Sequence, residues 1–279
     1  MDYFDGYYKG ERALFRTHGA HICRCVFDDG ESPLKESSHL QIEETTFAWK
    51  YPLWYDKDIV VDRCTFLQNA RAGIWYTVDS SFSHCHIVAP KAFRKCKNLK
   101  ISDVEFTDAQ ETLWWNDGIS LNKAKVRNGN YLFMGSKYIK VEELDLEGNY
   151  AFDGCQNVIV KNSRLLTKDA FWNCKHVVLE NCYIEGEYFG WNSEDVTLID
   201  CEVHSLQGFC YMKGVRLVRC KLIDTTLSFE YCSNIDAEVL TAIDSVKNPI
   251  SGKIVCKGIG DLIRDDERID QSKTEIIIL

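Results

Sequence analysis

Positive charge, proline, long apolar runs and paired cysteine spacings are all scarce in this sequence, and each scarcity excludes something. Lys and Arg total 33 against 42 Asp and Glu, a formal net charge of −9. No basic surface dominates, so no nucleic-acid partner is expected. No apolar run approaches the roughly 18 residues of a membrane helix, so no membrane span is expected. The opening "MDYFDGYYKGERALF" lacks a basic stretch followed by an apolar core and does not read as a secretory signal. The expectation is a cytoplasmic protein. Only four prolines and no long helical pattern interrupt the 279 residues, enough for one large domain or two small ones.

Cysteine, by contrast, is abundant: there are 13. An odd number in a long chain argues against a disulfide framework. The nearest thing to a metal-binding pair is Cys23–Arg24–Cys25, too closely spaced for the usual zinc half-site, so no metal or cofactor is expected.

A repeat gives these cysteines a different role. "CQNVIVKNSRLLT" (155–167), "CKHVVLENCYIEG" (174–186) and "SEDVTLIDCEVHS" (193–205) follow one another at 19-residue steps. The pair Val158/Val160 has equivalents at Leu40/Ile42, Ile59/Val61, Leu99/Ile101, Ile119/Leu121, Ile139/Val141, Val177/Leu179, Val196/Leu198, Val215/Leu217 and Ile235/Ala237. Steps are 19 or 20 residues except around Ser80/Phe82. One further column runs from Thr45 through Cys64, Cys85, Val104, Ala124, Leu144, Ser163, Cys182, Cys201 and Cys220 to Leu240. Another runs from Phe47 through Phe66 and Phe106 to Leu222, and a third from Leu53 through Phe152 and Phe171 to Phe229. All three are apolar or small and are expected to point inward. Polar columns alternate with them at period two, the mark of strands. Asp103, Lys123, Glu143, Asn162, Asn181 and Asp200 share a register suited to a tight corner, because Asn and Asp tolerate left-handed backbone.

Three strands per 19- or 20-residue coil describe an all-β parallel β-helix, a single-stranded solenoid of about 11 coils. Like residues then stack at about 4.8 Å. The cysteine column needs a small, buried, apolar residue, which free cysteine supplies; a redox or metal role is the alternative. One domain over 1–279 is expected, with 1–19 an N-terminal cap, 20–250 regular coils and 251–279 an irregular C-terminal cap. The tail "TEIIIL" (274–279) reads either as a last strand covering the far end or as an exchange strand that pairs with another chain.

The stretch "NVIVKNSRLLTKDAFWNCKHVVLENCYIEGEYFGWNSEDVTLIDCEVHS" (157–205), with its asparagine corner and aromatic third strand, resembles the right-handed parallel β-helix proteins of the pectate-lyase-like superfamily. Within it, the chain looks like a bacterial family without assigned activity. The resemblance covers roughly residues 20 to 250. It implies fold more than chemistry, since this architecture hosts lyases, hydrolases, esterases, adhesins and epimerases. It also implies that the strand holding Phe152, Phe171 and Phe209 is the one whose outward face carries the active site in sugar-cleaving relatives.

That outward column reads Trp54, Trp75, Arg94, Trp114, Met134, Asp153, Trp172, Trp191, Cys210, Glu230, and it takes five of the seven tryptophans. Indoles at coil spacing suit sugar rings. Beside them, a loop-end column carries Tyr51, Tyr131, Tyr150 and Tyr188, together with Glu111, Asp169 and Gln207. Asp153, Asp169 and Glu187 belong to consecutive coils and are the candidate catalytic acids and bases, at the spacing of roughly 5–10 Å used in glycoside cleavage. Crowding by indoles would raise one carboxyl and let it donate a proton. Trp54, Trp75, Arg94, Trp114, Trp172, Trp191, Tyr150 and Tyr188 are the candidate substrate-binding residues, and Arg71, Arg94 and Lys168 could hold an acidic sugar.

The chain departs from active relatives. It has no Asn-Thr-Asp, no paired Asp-Asp on this face, and no Gly-His-Gly of the polygalacturonase-like kind. No acid cluster with an adjacent arginine matches the calcium site of pectate lyases. The sequence therefore supports two functions of different class. One is an oligosaccharide-binding, sugar-cleaving protein. The other is a non-catalytic scaffold or oligomerisation module whose aromatic face meets protein.

Overall fold

The computed structural model describes residues 2–279. The chain is an all-β, right-handed parallel solenoid of about 15 turns. It divides into two compact units, Met1–Gly148 and Asn149–Leu279. Among the described residues there is no α-helix, and no helix is long and apolar enough to cross a membrane.

In the first unit the principal strands are Asp2–Phe4, His18–Cys23, Ser38–Glu43, Lys57–Asp62, Val78–Ser83, Lys97–Phe106, Asp117–Val126 and Lys137–Gly148. All pair in parallel with the next. Leu40 lies opposite Ile59, Leu99 opposite Ile119, and Ile119 opposite Ile139. The irregular Ser80 sits in register between Ile59 and Leu99. In the second unit the strands are Gln156–Lys161, Lys175–Glu180, Glu194–Ile199, Lys213–Ile223, Ser233–Val239, Gly252–Cys256 and Thr274–Ile278. Val158, Val177, Val196, Val215 and Ile235 stack in that order.

The coils run further than 20–250, which is why there are about fifteen turns rather than eleven. At the N-terminal end Tyr3 pairs with Ile22 and Tyr8 with Phe27, so residues 2–8 form a coil where a cap was expected. Toward the C-terminus Gly252–Cys256 and Thr274–Ile278 extend the ladder, where an irregular cap was expected. The "TEIIIL" segment is thus a last strand of its own unit.

The expected inward columns are buried throughout with one exception. Leu240 is 37% exposed, because the register shifts after Leu217 and places Val239 opposite Cys220. All 13 cysteines are free and buried. Burial pushes the thiols of Cys96 and Cys174 up to about 12, so they stay protonated and act as packing groups. Phenylalanine rings stack along the axis: Phe47 to Phe66 at 4.8 Å, and Phe152 to Phe171 at 4.5 Å with planes 10° apart.

The corner residues Asp103, Lys123, Glu143, Asn162, Asn181 and Asp200 all have φ between 50° and 56°, the left-handed region. The third strand is reduced to two-residue segments such as Leu53–Trp54 and Ile74–Trp75. In the second unit Trp172 stands between two left-handed residues, Phe171 (φ 56°) and Asn173 (φ 54°). This part of the coil is a sharp bend, not an extended strand.

Next to that bend in the first unit runs a buried polar column: Asp56, Thr77, Cys96, Asn116, Ser136. Its members reach back to a carbonyl of the preceding coil: Thr77 Oγ1 to Leu53, Asn116 Nδ2 to Phe93, Ser136 Oγ to Leu113. Asp56 accepts the Ser37 N–H at 2.8 Å on Oδ1, while its buried Oδ2 has no partner. It can donate only when protonated, and burial indeed holds its carboxyl well above the usual range. A raised folded-state value contributes stability that is complete in acid and is lost as pH rises through it. Asp56→Asn should therefore match the native chain in acid and be about 1–3 kcal/mol more stable at neutral pH, measured by urea denaturation at both.

Candidate functional site

Each unit carries its own stretch of the aromatic face. In the first, Trp54 and Trp75 stack at 5.1 Å with planes 6° apart. The Arg94 guanidinium continues the ladder, 5.1 Å from the Trp75 ring and 4.3 Å from the Trp114 ring. The indole N–H groups donate inward along the loops, Trp54 to Ala72 O, Trp75 to Lys91 O at 2.9 Å and Trp114 to Tyr131 O at 2.6 Å. Both faces of Trp75 are thus covered by neighbours in its own column. The stacked rings turn their edges, not their faces, outward. Arg94 is committed too: its Nη2 binds Glu111 Oε2 at 2.5 Å. Burial works to raise Glu111, but its bonds to Arg94 and Lys91 outweigh that and hold the carboxyl below its usual value.

The sequence reading missed a second set of aromatic residues beside this column. Tyr55 and Tyr76 stack at 4.7 Å with planes 3° apart. Lys35 lies over Tyr55, and Lys95 over both Tyr76 and Trp115. Tyr55 is 49% and Trp115 47% exposed. Each follows a member of the outward column, so strict alternation would send it inward. Left-handed backbone at Tyr55 (φ 62°), Tyr76 (φ 59°) and Trp115 (φ 54°) turns it outward again. The doublets Trp54-Tyr55, Trp75-Tyr76 and Trp114-Trp115 were the available signal.

In the second unit the aromatic residues form a cluster rather than a stack. Trp172 lies 5.9 Å from Trp191, 6.2 Å from Tyr150 and 6.5 Å from Tyr188. Trp191 also meets Tyr188 at 6.2 Å and Tyr211 at 4.9 Å. Asp169 is in register with Tyr188, and Tyr188 with Gln207, so the loop-end column holds. Lys168 pairs with Glu187 at 3.1 Å.

Asp169 is buried, 3% exposed, and its Oδ1 has no hydrogen-bond partner. The Trp172 Nε1 is likewise buried and unpartnered. Burial raises the Asp169 carboxyl; Lys168 opposes this and the Glu187 carboxylate adds to it. Asp153 stands apart from this arrangement. It accepts from Asn173 Nδ2 at 3.1 Å, and Asn173 in turn accepts from Asn192 at 2.9 Å. The geometry therefore couples Asp169 with Glu187 and ties Asp153 to an amide ladder. Further along the column Cys210 is buried, its thiol pushed up to about 12 by burial, and Glu230 is paired with Lys247 at 3.0 Å.

Residues 2–277 match the family described as "Protein of unknown function (DUF3737)". The chain belongs to this family. No curated protein matches it. Among solved structures it is similar to PfbA, a surface adhesin of Streptococcus pneumoniae, at 9% identity over 92% of this chain and 81% of that one, with a TM-score of 0.37. It is also similar to the A-module of the mannuronan C-5 epimerase AlgE4 of Azotobacter vinelandii, at 10% identity over 98% and 87%, with a TM-score of 0.29. A third is QnrB1, a plasmid-mediated fluoroquinolone resistance protein, at 16% identity over 80% and 92%, with a TM-score of 0.27.

Proposed function

We propose that this protein of the DUF3737 family binds carbohydrate at the aromatic corner of its second unit, and that Asp169 and Glu187 there serve glycoside cleavage. One observation carries the reading. A buried acceptor, Asp169 Oδ1, and a buried donor, Trp172 Nε1, are both unpartnered; the Trp172 ring meets Tyr150, Tyr188 and Trp191, and Asp169 is in register with Tyr188. Buried polar groups are nearly always satisfied, so such orphans imply a missing partner. A hydroxyl both donates and accepts, and sugar rings present hydroxyls beside apolar faces suited to aromatic walls. Asp169, whose carboxyl is raised by burial, is the acid of this pair, and Glu187, ion-paired with Lys168, is the base. The pectate-lyase-like resemblance of residues 157–205 is consistent with a sugar site on this face.

A glycan array followed by calorimetry tests the proposal. Trp172→Ala and Trp191→Ala should each weaken retention of the bound glycan by about 30-fold or more, the scale of an interface hot spot, with mass in solution unchanged. Asp169→Asn should keep most binding but slow release of reducing ends by roughly 10²–10⁴-fold. Absence of any glycan ligand, with a change of mass in the tryptophan variants, sinks this reading and supports the scaffold. The exposed Tyr55 and Trp115 of the first unit favour that second reading for their own surface, since Tyr and Trp are frequent anchors of protein contacts.

A further inference from the structure

Away from the aromatic face, the first unit brings three donors of different chemistry to one place. His21 and Cys23 are two residues apart on the strand His18–Cys23, and Cys23 is in register with Glu43 on the next coil. One ligand atom from each of the three lies within 4.8 Å of the others. Cys23 and Glu43 are one 20-residue step apart in the sequence, and the coil register makes them neighbours.

The polar accounting of this cluster is incomplete. His21 Nε2 is shielded from solvent and has no hydrogen-bond partner. Its closest charged neighbour is Glu43 Oε2 at 3.8 Å, too long for a hydrogen bond. That separation is close to the ~3.5 Å between two ligands of a tetrahedral ion with bonds of about 2.1 Å. The Phe4 ring packs edge-on against the imidazole at 5.3 Å and covers one side. Cys23 is only 5% exposed.

Two guanidinium groups stand nearby, and neither depends on the cluster. Arg24 Nη1 approaches Cys23 Sγ at 3.4 Å, but its main partner is Asp5, at 2.7 and 3.1 Å. Arg63 approaches Glu43 at 3.4 Å while also binding Asp62 and Glu44. Both can yield Cys23 and Glu43 to a cation and keep their other contacts.

We infer that His21, Cys23 and Glu43 form a binding site for a borderline divalent cation of the zinc class. The mixed nitrogen, sulfur and oxygen set suits such an ion and not the all-oxygen preference of calcium or magnesium. On binding, the Cys23 Sγ–H bond breaks, its proton goes to solvent, and the sulfur forms the metal bond. Three protein ligands leave the fourth tetrahedral position open, the arrangement of sites that act on a bound water or ligand rather than merely brace the fold.

The test uses the full chain stripped by a chelator and titrated with Co²⁺ by absorption and Zn²⁺ by calorimetry. The site predicts one ion per chain and a thiolate-to-cobalt charge-transfer band in the near ultraviolet. Cys23→Ser should abolish that band and weaken Zn²⁺ at least tenfold. Glu43→Gln, on a partly exposed side chain that does not threaten folding, should weaken Zn²⁺ by a similar factor. Cys25→Ser should leave binding unchanged. No stoichiometric uptake, or uptake unaltered by Cys23→Ser or by Glu43→Gln, overturns the site.

Discussion

Phe171→Ala is expected to cost about 3–5 kcal/mol, the usual range for emptying a buried aromatic site. The ring is fully buried. It stacks on Phe152 at 4.5 Å and meets Phe189 at 5.5 Å. Its removal cuts the aromatic column in the middle of the second unit. A solenoid coil contacts only its neighbours, so no distant element can collapse into the gap. The φ of 56° at this residue adds a constraint, because the backbone is already in the left-handed region and has little freedom to relax. Phe171→Leu, which keeps most of the volume, should cost clearly less. Urea denaturation followed by tryptophan fluorescence reads both variants directly. Equal stability of Phe171→Ala and the native chain would show that the column is not packed as described.

Gly252→Ala is expected to be of similar severity for a different reason. Gly252 has φ +124°, a conformation strained for any side chain. An added Cβ would also lie 2.1 Å from Ile235 O and 2.3 Å from Ile235 N, both backbone atoms of the preceding coil. Strain of this kind costs about 1–3 kcal/mol, and forcing the strands apart adds about 1–3 kcal/mol. The damage falls on the pairing of Ser233–Val239 with Gly252–Cys256. Limited proteolysis should then release a C-terminal fragment that the native chain protects, and amide exchange should accelerate over residues 252–278. Native-like protection of that segment would contradict the register.

The marker columns were legible in the sequence because a period of two within strands and 19 or 20 between coils leaves little freedom. Val158 over Val177 over Val196 follows from spacing alone. Where coil length changes, that signal fails. Ile235 pairs with Gly252 and Gly252 with Thr274, steps of 17 and 22 residues, so the final coils read as irregular. The first coil escaped notice because half-buried tyrosines, Tyr3 and Tyr8, occupy places held elsewhere by aliphatic residues and phenylalanine.

The candidate site was legible as a column but not as a geometry. Spacing placed Trp172 beside Trp191 and Asp169 beside Tyr188. It could not show that Trp54 and Trp75 cover each other's faces. That depends on side-chain rotation, which has no sequence signature. The left-handed turns that expose Tyr55 and Trp115 were equally hidden, because tyrosine and tryptophan do not announce positive φ as glycine or asparagine does.

Everything rests on residues one coil apart being direct neighbours, and cross-linking measures this most directly. Lys175 is in register with Glu194, and Glu194 with Lys213. Parallel neighbours at about 4.8 Å fall within disulfide reach, while a two-coil separation of about 9.6 Å does not. A Lys175→Cys/Glu194→Cys chain should form its disulfide quantitatively on mild oxidation, seen by mass spectrometry of its peptides, and Lys175→Cys/Lys213→Cys should form none. Linkage of the second pair, or failure of the first, would contradict the winding described above.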